Sequence, residues 1–408
     1  VFGEPLIAPD RLTVASLAKQ HGYRTAAIGK WHLGWDWPIP EADRPLFRNY
    51  KEADKSSPET NRATWAKVFD QKISGGPTTR GFDSYFGTDV PNWPPYCFIE
   101  NDRTIGIPSV PLPAEFFRNH LASTPGPALP DWKLEAILPA LTERACTFIT
   151  NAARKPEPFL LYLPLTTPHT PLAVNEEWKG KSGLNNAAAD LIMETDAAVG
   201  KVLAALEASG AAKDTLVLFT SDNGFASYVG VKDLEKQGHF PSGPLRDYKS
   251  SVFEGGHREP FIVRWPGKVA AGATCGQLVH QADVLATLAE IFGTTLPPNA
   301  GEDSFSFLPL LKGATQPTRT QAISCAASGV PGLRVGDWKY IATQPAQLYD
   351  LATDLGESRD LATARPEIAA RLAAASAEWN RGLIAPAFGN NPFGGLINRT
   401  GLEKNSAP

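Results

Sequence analysis

Four short stretches carry side chains that suit the chemistry of an oxyanion and a metal ion. The first is Thr220-Ser221-Asp222-Asn223-Gly224, which closes the apolar run 216–220. Asp222 and Asn223 offer oxygens, the donors that a hard cation such as Ca²⁺ or Mg²⁺ takes. The same residues also suit an Asx-turn that merely ends a strand, with Gly224 allowing the tight bend. The second is Gly29-Lys30-Trp31-His32-Leu33-Gly34. On an extended segment Lys30 and His32 share a face. Together they could hold one anion, Lys30 as a point charge and His32 as a proton donor, or they are a solvated lysine and a capping histidine. The third is His169, set between Pro168 and Pro171 on a stiff turn, a candidate for acid–base work or a surface loop residue. The fourth is Lys249 with Gly255, Gly256 and Arg258, two cations around a glycine pair that lets backbone pass close by.

Strand and helix patterns place these residues. Residues 216–220 form an apolar run without polar alternation, which predicts a parallel strand buried on both faces with Asp222 at its carboxyl end. Residues 158–164 predict a second buried strand ahead of His169, and 23–28 a strand ahead of Lys30. Residues 12–21 have roughly helical spacing, closed by Gly22. Helices are predicted over 134–154, over 185–209 with Ile192, Val199, Val202, Leu203 and Leu206 on one face, and over 283–292. A strand is also predicted over 261–265. Strand, helix, strand recurring marks an α/β fold with a mostly parallel central sheet flanked by helices. Residues 36–130 show little periodicity; the turn formers and aromatics of 77–87 and 91–96 predict binding loops. Trp93 in that stretch and His239 in the 226–248 loop suggest a ring-bearing substrate such as a sugar. From about Gly313 the texture changes to short strands over 321–325, 332–341 and 347–350 and a helix over 366–379, a small α+β subdomain. The expected organisation is a main domain over 1–315, the subdomain over 316–385, and a loose tail over 386–408.

Composition narrows the class. With 408 residues, 42% of them hydrophobic, the chain can bury a sizeable core. A net charge of −4 gives no support for nucleic-acid or anionic-membrane binding. The 35 Gly and 36 Pro fall between periodic segments and fit a loop-rich enzyme. Cys97, Cys146, Cys275 and Cys325 are too scattered for a zinc motif or a disulfide framework. No apolar run is long enough to span a membrane.

Taken in order, Gly-Lys-Trp-His-Leu-Gly (29–34), Thr-Pro-His-Thr-Pro (167–171), Thr-Ser-Asp-Asn-Gly (220–224) and Lys-x5-Gly-Gly-x-Arg-x-Pro (249–260) resemble the type I sulfatases. These are the arylsulfatase A-like members of the alkaline phosphatase superfamily. The resemblance covers roughly residues 10–380 and implies an alkaline-phosphatase-like fold. It implies a sulfuric ester hydrolase acting on a sulfated carbohydrate or aryl sulfate, and export to the periplasm or cell exterior. It implies Ca²⁺ with Asp222 and Asn223 as two ligands. It implies Lys30, His32, His169 and Lys249 as the residues that hold sulfate and move its protons. His32 then resembles the base that breaks down the sulfated intermediate, and His169 or Lys249 the acid for the leaving group. His239, Trp93 and Arg258 are the expected substrate contacts, Arg258 chiefly as a support.

One departure is plain. The family makes formylglycine from Cys or Ser in C/S-x-P-x-R, ahead of the Gly-Lys-Trp-His motif and after an Asp-Asp pair. Ser242-Gly-Pro-Leu-Arg246 alone matches, in the wrong place, and no Asp-Asp pair occurs. The expectation is that a segment with the nucleophile and further metal carboxylates is absent from this chain, which then binds Ca²⁺ weakly and has no appreciable turnover. The alternatives are a phosphate mono- or diester hydrolase of the same superfamily, and a non-catalytic sulfate- or glycan-binding relative.

Overall fold

The computed structural model describes residues 2–48 and 58–387, which form two compact units, 2–215 with 282–306 and 216–281 with 307–387. The tail from 388 onward lies outside the described residues.

The first unit is built on a mixed five-stranded sheet. Helix α1 (Val14–Gln20) opens on Thr13, whose side chain accepts from the Ser16 amide at 3.0 Å while Ser16 Oγ accepts from the Thr13 amide at 2.8 Å. This is a capping box with serine in the Glu/Gln role. Gly22 then turns the chain at φ 78° into β1 (Arg24–Lys30). β1 is buried along its length and pairs in parallel with β2 (Ser84–Thr88) on one side and β5 (Phe159–Tyr162) on the other. The antiparallel pieces β3 (Ile99–Glu100) and β4 (Arg103–Thr104) extend the β2 side. Helices α2 (Ile137–Ala152) and α3 (Ala187–Ala208) pack on each other, and α4 (Asp283–Phe292) stacks Phe292 on His21 beside α1.

Three expectations are corrected here. β2 falls in the stretch read as loop; a five-residue strand with Gly87 at its centre of approach has too short a pattern to stand out. Its glycine is required by packing, since a Cβ there would lie 1.7 Å from the Gly29 carbonyl oxygen. β5 is parallel as expected but only partly buried, with Tyr162 43% exposed at its end. On α3, Ile192 is 40% exposed, and the buried face instead carries Ala188, Leu191, Glu194, Ala198 and Leu206. Two carboxylates explain that shift. Asp190 accepts from the Gly180 and Ser182 amides at 2.8 and 2.9 Å, and Glu194 from the Asn175 amide at 3.0 Å. Buried acids satisfied by loop amides occupy positions an apolar count skips.

The second unit joins a ribbon to a four-stranded meander. β6 (Val217–Thr220) and β7 (Phe261–Arg264) pair antiparallel, Val217 with Arg264 through Thr220 with Phe261. The expected parallel, doubly buried strand is therefore corrected to one arm of a ribbon, with Phe219 42% exposed. An apolar run specifies a strand but not the direction of its neighbour. Strands β8 (Gln321–Cys325), β9 (Pro331–Val335), β10 (Trp338–Ile341) and β11 (Gln347–Asp350) form an antiparallel sheet in that order. Helix α5 (Pro366–Ala387) covers one face through Leu372 on Leu333, Tyr340 and Leu348. Val252 packs with Ile341, Tyr349 and Leu351 in a separate core cluster. The four cysteines are free thiols. No helix among the described residues is long and apolar enough to cross a membrane.

Candidate active site

Lys30 is the last residue of β1, and its amide donates to the Pro164 carbonyl at 2.8 Å, which draws the 163–171 loop to the strand end. Trp31 donates its amide to Thr88 at the end of β2 at 3.1 Å. His32 does not continue the extended run: its φ is +50°, so the alternation argument that put Lys30 and His32 on one face does not hold. His32 is exposed and Lys30 half-buried. Trp93 stands partly exposed after a turn in which its amide donates to Val90 at 3.0 Å.

His169 is half-buried, with Nδ1 2.8 Å from the Thr170 carbonyl oxygen. A carbonyl only accepts, so Nδ1 carries the proton and Nε2 is left as the basic nitrogen. Sequence reasoning missed Asp89. It sits one residue past β2, 4% exposed, accepting from Trp35 Nε1 at 3.2 Å and from the His32 amide. Burial pushes its carboxyl up to about 6 against the pull of Trp35 and Lys30. The signal was an acid directly after a strand, and it was lost when β2 was read as loop.

In the second unit backbone contacts fasten the Asp222-Asn223 turn to the 249–256 segment. The Gly224 amide donates to Gly256 at 3.0 Å and the Lys249 amide to Phe225 at 2.9 Å. A Cβ on Gly224 would lie 1.9 Å from the Gly255 carbonyl oxygen, so only glycine allows this approach. Ser221 Oγ donates to the Asn223 carbonyl at 3.3 Å, and Gln281 Nε2 donates to the Ser221 carbonyl. Glu259, absent from the expected set, has its carboxyl raised by burial and then by the charge of Asp222. Two carboxylates and an amide oxygen are the donor type a hard divalent cation takes, and a cation would relieve that crowding. They fit such an ion in part. Among the described residues no group of three or more His, Cys, Asp or Glu gathers as a metal site. His239 is exposed, its amide donating to Leu234 at 3.0 Å. Ser242 donates to the Asp247 carbonyl at 2.9 Å, while Arg246 donates to the Glu357 carbonyl at 2.8 Å and lies 3.7 Å over the Phe253 ring. Both side chains of the Ser-x-Pro-x-Arg match are thus engaged structurally, Ser242 within its own loop and Arg246 with the Glu357 segment.

A buried charge cluster forms on Glu254, in the segment that follows Lys249. Lys339 on β10 lies 2.8 Å from Glu254 Oε1 and 3.0 Å from Glu357 Oε1, and none of the three is more than 1% exposed. Glu357 Oε2 accepts from the Glu254 amide at 2.6 Å. Glu254 Oε2 pairs with Arg258 Nη1 at 3.2 Å, so Arg258 supports this segment. Burial pushes the Glu254 carboxyl up, but Lys339 outweighs it and the group ends below its ordinary value. His257 Nε2 lies 3.1 Å from Lys339 Nζ and 3.1 Å from Ser324 Oγ. Burial, then the Lys339 charge, hold His257 down to about 4. An unfolded histidine titrates near 6.5, so between pH 6.5 and 4 the unfolded chain binds the extra proton. His257 therefore contributes stability that is complete above pH 6.5 and lost as pH falls toward 4, roughly 3 kcal/mol in all. Urea unfolding at pH 7 and 5 should show this loss in the native chain and a smaller one in His257→Gln; equal losses would acquit His257.

With this geometry in view, the comparisons assign the class. The Sulfatase family model matches residues 3–294, and the chain belongs to the sulfatase family. Its relatives are sulfatases, and the family places this chain among the sulfate-ester hydrolases. It is 28% identical to the N-acetylgalactosamine-6-O-sulfatase of Bacteroides thetaiotaomicron over 90% of this chain and 77% of that one. It is 29% identical to Homo sapiens arylsulfatase A over 88% of this chain and 69% of that one. A structure solved in work on the metabolism of multiple glycosaminoglycans by Bacteroides thetaiotaomicron superposes with TM-score 0.77 at 26% identity, over 93% of this chain and 84% of that one.

Proposed function

We propose that this chain acts on the sulfate ester of a carbohydrate, with Lys30, His32, His169 and Lys249 engaging the sulfuryl group. Asp222 and Asn223 would hold one divalent cation, Ca²⁺ by family resemblance, with Glu259 beside them. Such an ion supplies a Lewis acid for the sulfuryl oxygens. Lys249 adds a fixed positive charge where negative charge grows as the ester bond breaks. His169, protonated at Nδ1, presents Nε2 to accept a proton or, once charged, to return one to the departing sugar oxygen. Lys30 contributes charge from the end of β1. The observation that supports this most is the backbone bond from the Lys249 amide to Phe225, which brings the chain at Lys249 up to the end of the Asp222-Asn223 turn. The relatives' substrates favour a sulfated sugar, and their kind favours an exported protein.

Calorimetric titration tests the reading with three ligands: a hexosamine 6-sulfate, the same hexosamine unsulfated, and its 6-phosphate. The sulfated sugar should bind with Ca²⁺ present and more weakly in EDTA, the unsulfated sugar not at all. Tighter binding of the phosphate would transfer the site to phosphate esters, and equal binding of sulfated and unsulfated sugar would end the sulfate reading.

A further inference from the structure

The turn that follows β1 is fastened from several sides. The Trp31 amide donates to the Thr88 carbonyl at 3.1 Å, and Trp31 Nε1 donates to the Gly34 carbonyl at 3.1 Å. Tyr85 Oη lies 2.9 Å from both the Gly29 and the Thr88 carbonyl oxygens. Inside this turn His32 sits at φ +50°, a conformation that a residue with a Cβ keeps only where its surroundings impose it. Asp89 is the group that imposes it. Its carboxylate accepts from the His32 amide and, at 3.2 Å, from Trp35 Nε1, so it grips the turn at residues 32 and 35. Bonds from N–H groups to a carboxylate are charge-assisted and about twice as strong as neutral ones. Trp35 is 2% exposed and Asp89 4%, so water hardly competes at the carboxylate.

Stability does not explain a charge at this place. Burial, against the pull of Trp35, Lys30 and the His32 amide, leaves the Asp89 carboxyl raised to about 6. The folded chain therefore binds that proton more tightly than the unfolded chain does. The ionised carboxylate lowers stability as pH rises from about 4 to about 6, and the whole of that cost is present at pH 7. Its charge also reaches Lys30 at the end of β1. After burial, the same charge holds the Tyr85 hydroxyl and the Cys97 thiol further toward their neutral forms. A buried acid kept ionised against stability, next to two residues of a reaction site, marks function more than folding. Resting on the sulfate-ester reading above, we propose that Asp89 is the positioning residue of the Lys30-His32 turn: its carboxylate fixes His32 through the backbone, and its charge tempers the hold of Lys30 on sulfate. Carboxylate and ammonium partly cancel, so an anion meets a weaker positive field than Lys30 alone would give. A hydrolase that must release inorganic sulfate gains from this, since product release often limits turnover.

Two substitutions separate position from charge. Asp89→Asn keeps an acceptor oxygen with two lone pairs and removes the charge, whereas Asp89→Ala removes both. Calorimetry at pH 7 gives the affinity for a hexosamine 6-sulfate, with the unsulfated hexosamine as blank, and unfolding midpoints are measured beside it. Asp89→Asn should raise the midpoint and bind the sulfated sugar about threefold more tightly than the native chain. Asp89→Ala should bind it about tenfold more weakly. Hydrogen exchange at the His32 amide reads the position without any ligand: it should stay slow in Asp89→Asn and speed up in Asp89→Ala. A merely structural acid would move both affinities in one direction. Affinities that move together in both variants, or that neither variant changes, would overturn the proposal while the native chain still binds the sulfated sugar. If Asp89→Ala fails to fold, the Asn variant decides: tighter binding with slow His32 exchange upholds the proposal, and weaker or unchanged binding overturns it. A native chain that does not prefer the sulfated sugar to the unsulfated one would overturn the sulfate reading and this role together.

Discussion

Lys339→Met is expected to lower the stability of the chain by about 3–5 kcal/mol, the usual cost of removing one partner from a buried ion pair. The Lys339 ammonium is the one cation within hydrogen-bond distance of both Glu254 and Glu357 among the described residues. Methionine fills most of its volume, so the loss reports electrostatics more than a cavity. Glu357 would be left with its charge uncompensated at 0% exposure, and Glu254 would retain the longer contacts to Arg258, His257 and Arg334. Urea unfolding at pH 7 measures the loss. The triple variant Lys339→Met, Glu254→Gln, Glu357→Gln should regain most of it, because a neutral cluster needs no counter-charge. A loss under about 1 kcal/mol, the worth of an exposed pair, would show that water screens these carboxylates.

That cluster shows where sequence reading stops. The chemistry-bearing motifs were legible because they are short, local and end strands: β1 into Lys30, β6 into Asp222, and the loop that holds His169. Helix α4 was legible over its full length and the meander nearly so, since both follow local periodicity and turn residues. Lys339 was not, because a lysine in a four-residue strand reads as a solvated side chain until a distant acid is brought to it. Glu254 and Glu357, 103 residues apart, gave no local sign of sharing one cation. Asp89 and His32 failed for the opposite reason. One lies just beyond a strand too short to be recognised, and the other takes a left-handed backbone that strand alternation does not foresee. The direction of β6 was invisible for a third reason: apolarity records burial and strand content, while pairing direction depends on which segment returns beside it.

Lys249→Ala should lower turnover of a sulfate ester by about 10²–10³, the typical effect of deleting one preorganised donor from a site of developing negative charge. A sulfate ester carries a single charge, so directed donors matter more for it than overall field. Lys249 is fitted for this. Its amide is pinned to Phe225, just past the Asp222-Asn223 turn, and the residue is half-buried. The backbone bond survives truncation of the side chain, so the turn should keep its shape while the charge disappears. Lys249→Arg should recover only part of the loss, since a planar fork does not reproduce the position of a point ammonium. Arg258→Ala is the contrasting control. Its guanidinium pairs with Glu254 at 3.2 Å, so its loss should lower stability more than turnover. Initial rates on a sulfated sugar, with unfolding midpoints for the same variants, separate the two effects. In chain preparations without turnover, affinity for the sulfated sugar is the readout, and Lys249→Ala should weaken it by about tenfold, some 1.4 kcal/mol. If Lys249→Ala leaves both rate and affinity unchanged while Arg258→Ala abolishes them, the anion is held by Arg258, and Lys249 is a surface cation.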